Sequence, residues 1–116
     1  MMDSPVTLAI EAVRWWCGER DEQRGRELFA VEMVHDSGNL MEDRESFLKS
    51  VQRRLPWPSY EILHTSVDNL TVVIAFEGVD PMKDNMKSRF MWLVSVKDGA
   101  ITKVSSTLTY LWRTRT

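Results

Sequence analysis

Apolar positions follow two rhythms along the 116 residues, helical in the first half and strand-like in the second. From Val6 they fall at Val6, Ala9, Ile10, Val13, Trp16 and Cys17, the three-and-four spacing of one helical face, with Leu8, Ala12 and Trp15 widening it. Ser4-Pro5 predicts the helix start, because the Ser hydroxyl caps free backbone amides and Pro loses nothing in the first turn. Gly18 predicts its end. Only Thr7, Glu11, Arg14 and Gly18 form a polar strip, so this helix is expected to meet protein on more than one side. Asp21 caps a second, shorter helix that reaches Ala30 and buries Leu28 and Phe29. Residues 31–36 lose the helical period and end at Ser37-Gly38-Asn39, which reads as a short strand and a turn. Asp43 then caps a third helix with Phe47, Leu48, Val51 and Leu55 on one face, stopped by Pro56 and Pro58.

The remainder reads as antiparallel sheet. Residues 60–67 and 70–79 form one predicted hairpin around Asp68-Asn69, and residues 88–97 form another with the run from Ala100 to Trp112 around Asp98-Gly99. Asp-Gly supplies the positive φ angles of a type I′ turn and sets a register. In that register Val96 faces Ile101, Val94 faces Lys103 and Trp92 faces Ser105 on one side; Leu93 with Val104, Met91 with Ser106 and Arg89 with Leu108 take the other. Both faces carry large apolar side chains, so the sheet needs two covers. The helices supply one, and a second copy of the chain is the expected other, giving a homodimer through the sheet face. The polar stretch 80–87 is expected to be a mobile connector between strands.

Composition narrows the class of protein. With 15 Lys and Arg against 17 Asp and Glu, the net charge of −2 provides no basic surplus for nucleic acid. Apolar runs such as 90–94 fall far short of the roughly 20 residues that span a bilayer, and the opening residues carry no leader-like pattern. A single Cys17 suits a reducing compartment, so the expected location is cytoplasmic. Five Trp and seven Met are an excess in one domain of this length.

The order of elements resembles the nuclear transport factor 2-like superfamily, and within it the SnoaL-like, polyketide-cyclase-like proteins. The residues that carry the resemblance are Ala12-Val13-Arg14-Trp15-Trp16, Gly18-Glu19-Arg20-Asp21, the stretch from Glu27 to Asp36, and the hairpin from Phe90 to Ile101. It spans almost the whole chain. It implies a single α+β domain over residues 1–116, cone-shaped, with three N-terminal helices packed on a curved, mainly antiparallel sheet. It also implies a pocket between the first helix and the sheet, a common homodimer, and functions ranging from isomerases, cyclases and dehydratases to non-catalytic assembly modules.

Asp36 lies near where the isomerase-like and cyclase-like relatives place a proton-shuttling carboxylate; its other reading is a cap on the turn at Ser37-Gly38. His64, predicted on one face with Tyr60, Ile62, Val73, Ala75 and Glu77, is a second candidate for proton transfer, its other reading being a hydrogen-bonded structural His. His35 and Asp36 are neighbours on a strand, so at most one of them enters the pocket. Trp16, Trp92, Tyr60 and Met33 are the candidate ligand contacts, while Trp15, Tyr110 and Trp112 either join that wall or pack the core and a dimer interface. Trp57, between two prolines, is expected as a rim residue or a lid on the helices. The sequence shows no metal-ligand spacing, no phosphate-binding Gly loop and no nucleophile elbow, so no metal and no cofactor are expected, and Cys17 reads as a buried, inert thiol. Steroid isomerases of this family stabilise an enolate with a Tyr and a protonated acid. Val13, Trp15, Trp16 and Trp92 stand in the corresponding regions here, which disfavours that activity. Two readings remain: a binder of a small hydrophobic or aromatic molecule with acid–base chemistry, or an interaction module whose pocket is filled by its own side chains.

Overall fold

The computed structural model describes residues 4–84 and 86–110, apart from the side chains of Glu19, Thr109 and Tyr110. Ser4 caps the first helix by accepting from the Thr7 amide at 3.1 Å, and α1 runs Pro5–Arg14. The helix then widens instead of stopping at Gly18. Trp15–Glu19 form a π-type turn closed by Arg20, which takes the left-handed conformation (φ 51) and returns its amide to the Trp15 carbonyl at 3.2 Å. The carbonyls beside it are not orphaned: Arg20 Nε donates to Trp16 O at 3.1 Å and the Trp57 amide to Cys17 O at 2.8 Å. A widened turn is tolerable where such partners exist.

Asp21 caps α2, Glu22–Leu28, by accepting from the Arg24 amide at 2.9 Å. Phe29 opens the first strand, β1 (Phe29–Asp36), rather than closing the helix. After the turn, the chain makes a strand with no counterpart in the sequence reading, β2 (Met41–Asp43), and Asp43 then caps α3, Arg44–Gln52. Phe47, Leu48 and Val51 are buried as the helical spacing requires, but α3 ends before Leu55, which is exposed. The four long strands are β3 (Tyr60–Asp68), β4 (Thr71–Asp80), β5 (Met86–Lys97) and β6 (Ala100–Tyr110). Between β4 and β5 lies a short 3-10 turn, Pro81–Lys83, capped by Asp80. Sequence residues 111–116, including Trp112, lie outside the described residues.

The strands form one curved, unclosed sheet in the order β2-β1-β6-β5-β4-β3, antiparallel throughout except for the parallel pair β1 and β6. The helices cover its concave face. This is the α+β cone expected from the order of elements.

Two bulges correct the predicted registers. The Asp98-Gly99 turn forms, with φ of 52 and 79, and Val96 faces Ile101 as expected. Thr102 is then inserted without a partner, so that Val94 meets Val104, Trp92 meets Ser106 and Leu93 meets Ser105. Burial explains the slip: the predicted pairing would have put Lys103 on the core face beside Val94, whereas the bulge delivers Val104, which is fully buried. Leu63 is the second insertion, between the pairs Ile62–Phe76 and His64–Ala75. The β3–β4 turn falls at Asn69-Leu70, one residue later than predicted, with Asn69 left-handed (φ 59).

The concave face packs Val72, Ile74, Phe76, Trp92, Val94, Ile101 and Val104 against Leu8, Ala12, Val13 and Trp16 of the first helical segment. Trp57 is not at a rim. It is buried at 6% exposure, with its ring 5.3 Å from Trp16 and 5.9 Å from Phe90. Gly78 makes that possible, since a Cβ there would stand 2.4 Å from the Ser59 carbonyl oxygen and 2.6 Å from the Trp57 ring. Gly78→Ala should therefore lower stability by roughly 1–3 kcal/mol, the usual cost of forcing atoms into a packed core. An unchanged urea midpoint would contradict this close approach.

Candidate active site

A cavity of about 800 Å³ lies between the end of α3, the loop at residues 37–40 and the concave side of β6. Trp16, Phe47, Phe90 and Leu108 give it apolar walls, and His35, Glu42, Ser106 and Arg54 bring polar groups to the same space. Three strands assemble the polar cluster. His35 and Glu42 are register partners on β1 and β2, so their side chains emerge on the same face. Ser106 comes to that face from β6, two residues beyond Val104, the register partner of His35.

His35 Nδ1 is 3.0 Å from Glu42 Oε1, and His35 Nε2 is 2.7 Å from Ser106 Oγ. A carboxylate accepts only, so the Nδ1 proton belongs to the bond with Glu42, and Nε2 of the neutral ring accepts from the Ser106 hydroxyl. Both His35 and Glu42 side chains are 14% exposed. The Phe47 ring, 4.9 Å from the imidazole, walls the pair from the α3 side. The imidazole is thus held between a carboxylate and a hydroxyl on the wall of the cavity.

Asp36, on the same strand as His35, projects to the opposite face of the sheet. Its carboxylate accepts from the Gly38 amide at 2.9 Å and so caps the turn, and it does not line the cavity. His64 lies on the convex face and is exposed; the Leu63 bulge separates it from Tyr60 and Ile62, which pack on the core side. Glu77, predicted on the same face as His64, accepts from Arg89 at 2.9 Å and pairs with Lys87 at 3.1 Å, contacts that hold its carboxyl below the usual value. Of the four candidate ligand contacts, Trp16 lines the cavity. Trp92 and Met33 are buried in the core, and Tyr60 packs at its edge. Trp15 lies in the core as well, against Phe29 and Phe47. Cys17 is buried, and burial, against the opposing pull of Arg20, pushes its thiol up to about 12, a value that leaves it unreactive.

Glu42, Ser106 and Arg54 are not among the site residues expected from the sequence. Glu42 was visible in principle: a four-residue hairpin loop at 37–40 sets it opposite His35. Ser106 was hidden by the Thr102 bulge, which a turn-based register does not foresee. Arg54 follows α3 in an irregular segment, where periodicity assigns no face.

Among the described residues, no group of three His, Cys, Asp or Glu side chains is placed to hold a metal ion, and no helix is long and apolar enough to cross a membrane. The fold is the cone of the nuclear transport factor 2-like proteins. No family model and no curated protein matches the sequence. Solved structures do. A candidate ketosteroid isomerase from Kribbella flavida DSM 17836 superimposes with a TM-score of 0.78 at 14% identity, over 100% of this chain and 87% of its own. A nuclear transport factor 2-like protein of unknown function from Cytophaga hutchinsonii gives 0.75 at 10% identity, over 94% of this chain and 93% of its own. A de novo designed protein with a curved β-sheet gives 0.73 at 19%, over 90% and 84%. Natural and designed chains share the architecture, and fold alone does not decide activity.

Proposed function

We propose that this chain binds a small hydrophobic or aromatic molecule in the cavity beside α3 and moves a proton on it, in isomerase-type chemistry, with His35 as the base. The observation that carries this reading is the hydrogen-bonded chain from Ser106 through His35 to Glu42 on the wall of an apolar cavity. Glu42 holds the imidazole in the tautomer that leaves Nε2 free to take a proton from an acidic C–H, and stabilises the imidazolium that results. The same Nε2–H then returns the proton to a neighbouring atom of the substrate, so the cycle closes without any other reactant. The Ser106 hydroxyl hydrogen-bonds Nε2 and is the group a substrate displaces. The similarity in fold to proteins named as candidate isomerases from Kribbella flavida and, in the SnoaL-like family, Agrobacterium tumefaciens agrees with this chemistry. Asp36 and His64, the carriers expected from the sequence, do not line the cavity, and His35 takes that role in this reading.

2-Tetralone, an aromatic ketone with exchangeable α-hydrogens, is a suitable probe. In D₂O the protein should bind it and accelerate α-exchange, and His35→Gln should slow that exchange by roughly 100-fold or more, the usual contribution of a positioned base, while binding persists. Exchange that is indifferent to His35→Gln would remove the base. Failure of the ketone to bind would favour the other reading, a module with no small-molecule role.

We further propose that the convex face of the sheet is the contact between two copies of the chain. Met91 and Leu93 are 54% and 44% exposed there, flanked by their register partners Ala75 and Val73, which makes a contiguous apolar patch. Sedimentation should show a dimer at micromolar concentration that Leu93→Lys dissociates; a wild-type monomer would contradict it.

A further inference from the structure

We propose that the ligand of this cavity carries a carboxylate and that the Arg54 guanidinium holds it. The inference rests on the pocket reading above and adds the charge of the molecule bound.

Arg54 lines the cavity, and its guanidinium carbon sits 4.1 Å over the Trp16 ring. Its Nε is buried and has no hydrogen-bond partner. Among the described residues no carboxylate pairs with it, in contrast to Arg24, Arg26, Arg44, Lys87 and Arg89, which all find one. A guanidinium resting on an indole keeps its in-plane N–H donors for a second partner, and their fork matches a carboxylate bidentately.

The surroundings accentuate the deficit. Arg20 is the cation that acts on it, and its own donors are spent on backbone carbonyls: Trp16 O at 3.1 Å, Leu55 O at 2.8 Å, and Arg54 O. It fixes the backbone that presents Arg54 and adds a like charge beside it. Burial first, and then Arg20, act against the charged form of Arg54, while Asp80 acts for it. Glu42, the carboxylate on the cavity wall, is engaged by His35. Asp80 and Glu42 therefore favour its charge only at longer range, and an anion entering the cavity would meet a partly desolvated cation that has no ion-pair partner among the described residues, where such contacts are strong. Trp16, Phe47 and Phe90 would take the apolar part of the same ligand. The ligand class is thus a small aromatic or apolar carboxylic acid, anchored at Arg54 and extending toward His35.

Calorimetric titration with 2-naphthoate and its uncharged counterpart 2-naphthamide tests this. The wild-type protein should bind the acid roughly 10- to 100-fold more tightly than the amide, the range expected for hydrogen bonds to a charged partner. That preference should vanish in Arg54→Gln, with amide binding retained, and shrink in Arg54→Lys, which keeps the charge and loses the fork. The wild-type comparison decides the matter even if a variant folds poorly. Equal binding of acid and amide would overturn the role of Arg54 and leave the pocket reading standing; binding of neither would overturn both.

Discussion

Trp16 is the contact on which the arrangement of this molecule depends. It sits in the widened turn that ends the first helix and meets four aromatic rings at once, with centroids 5.3 Å from Trp57, 5.8 Å from Phe76, 5.0 Å from Phe90 and 5.6 Å from Trp92. All four contacts are edge-on, the geometry that ring quadrupoles favour, and each adds about 0.5–1.5 kcal/mol beyond the area buried. The π-type turn lets two adjacent indoles serve two clusters. Trp15 packs against Phe29 and Phe47 at 5.4 and 6.2 Å, and Trp16 reaches into the sheet. One short segment thereby pins the helix to α3 and to the central strands together.

That packing decides where a ligand has room. The part of the cone beneath β4 and β5 is filled by the protein's own rings, with Trp92, Phe76 and Trp57 closing over Trp16. The space that remains lies toward β1, β6 and α3, and Trp16 and Phe90 form part of its wall. An aromatic-filled core and an aromatic-lined cavity are therefore not alternatives here. They are two ends of one concave face, divided by Trp16. The polar groups gather at the other end, where β1 and β2 turn His35 and Glu42 inward beside the Phe47 ring.

Helix caps and turn chemistry carried most of the fold into the sequence. Ser4, Asp21 and Asp43 cap the helices as their side chains predict, and Asp98-Gly99 makes its hairpin turn. These are local signals, each set by a few neighbouring atoms. The site was less readable because it depends on non-local placement. Period-two alternation says that His35 and Asp36 face opposite ways but not which of them faces in; that follows from the parallel pairing of β1 with β6. Single-residue bulges at Leu63 and Thr102 turned His64 outward and Ser106 inward, and no local motif announces a bulge whose purpose is to keep Lys103 out of the core. Asp36 took the turn-capping role that its residue type favours.

The chemistry ascribed to the cavity turns on one proton position: Glu42 must hold the hydrogen of His35 on Nδ1, leaving Nε2 as the base. Long-range ¹H–¹⁵N correlation spectra of the imidazole read this directly. A protonated Nδ1 and a lone-pair-bearing Nε2 are expected in the neutral ring, with the preference lost in Glu42→Ala. An Nε2–H tautomer in the wild-type protein, or a tautomer balance that ignores removal of Glu42, would contradict it.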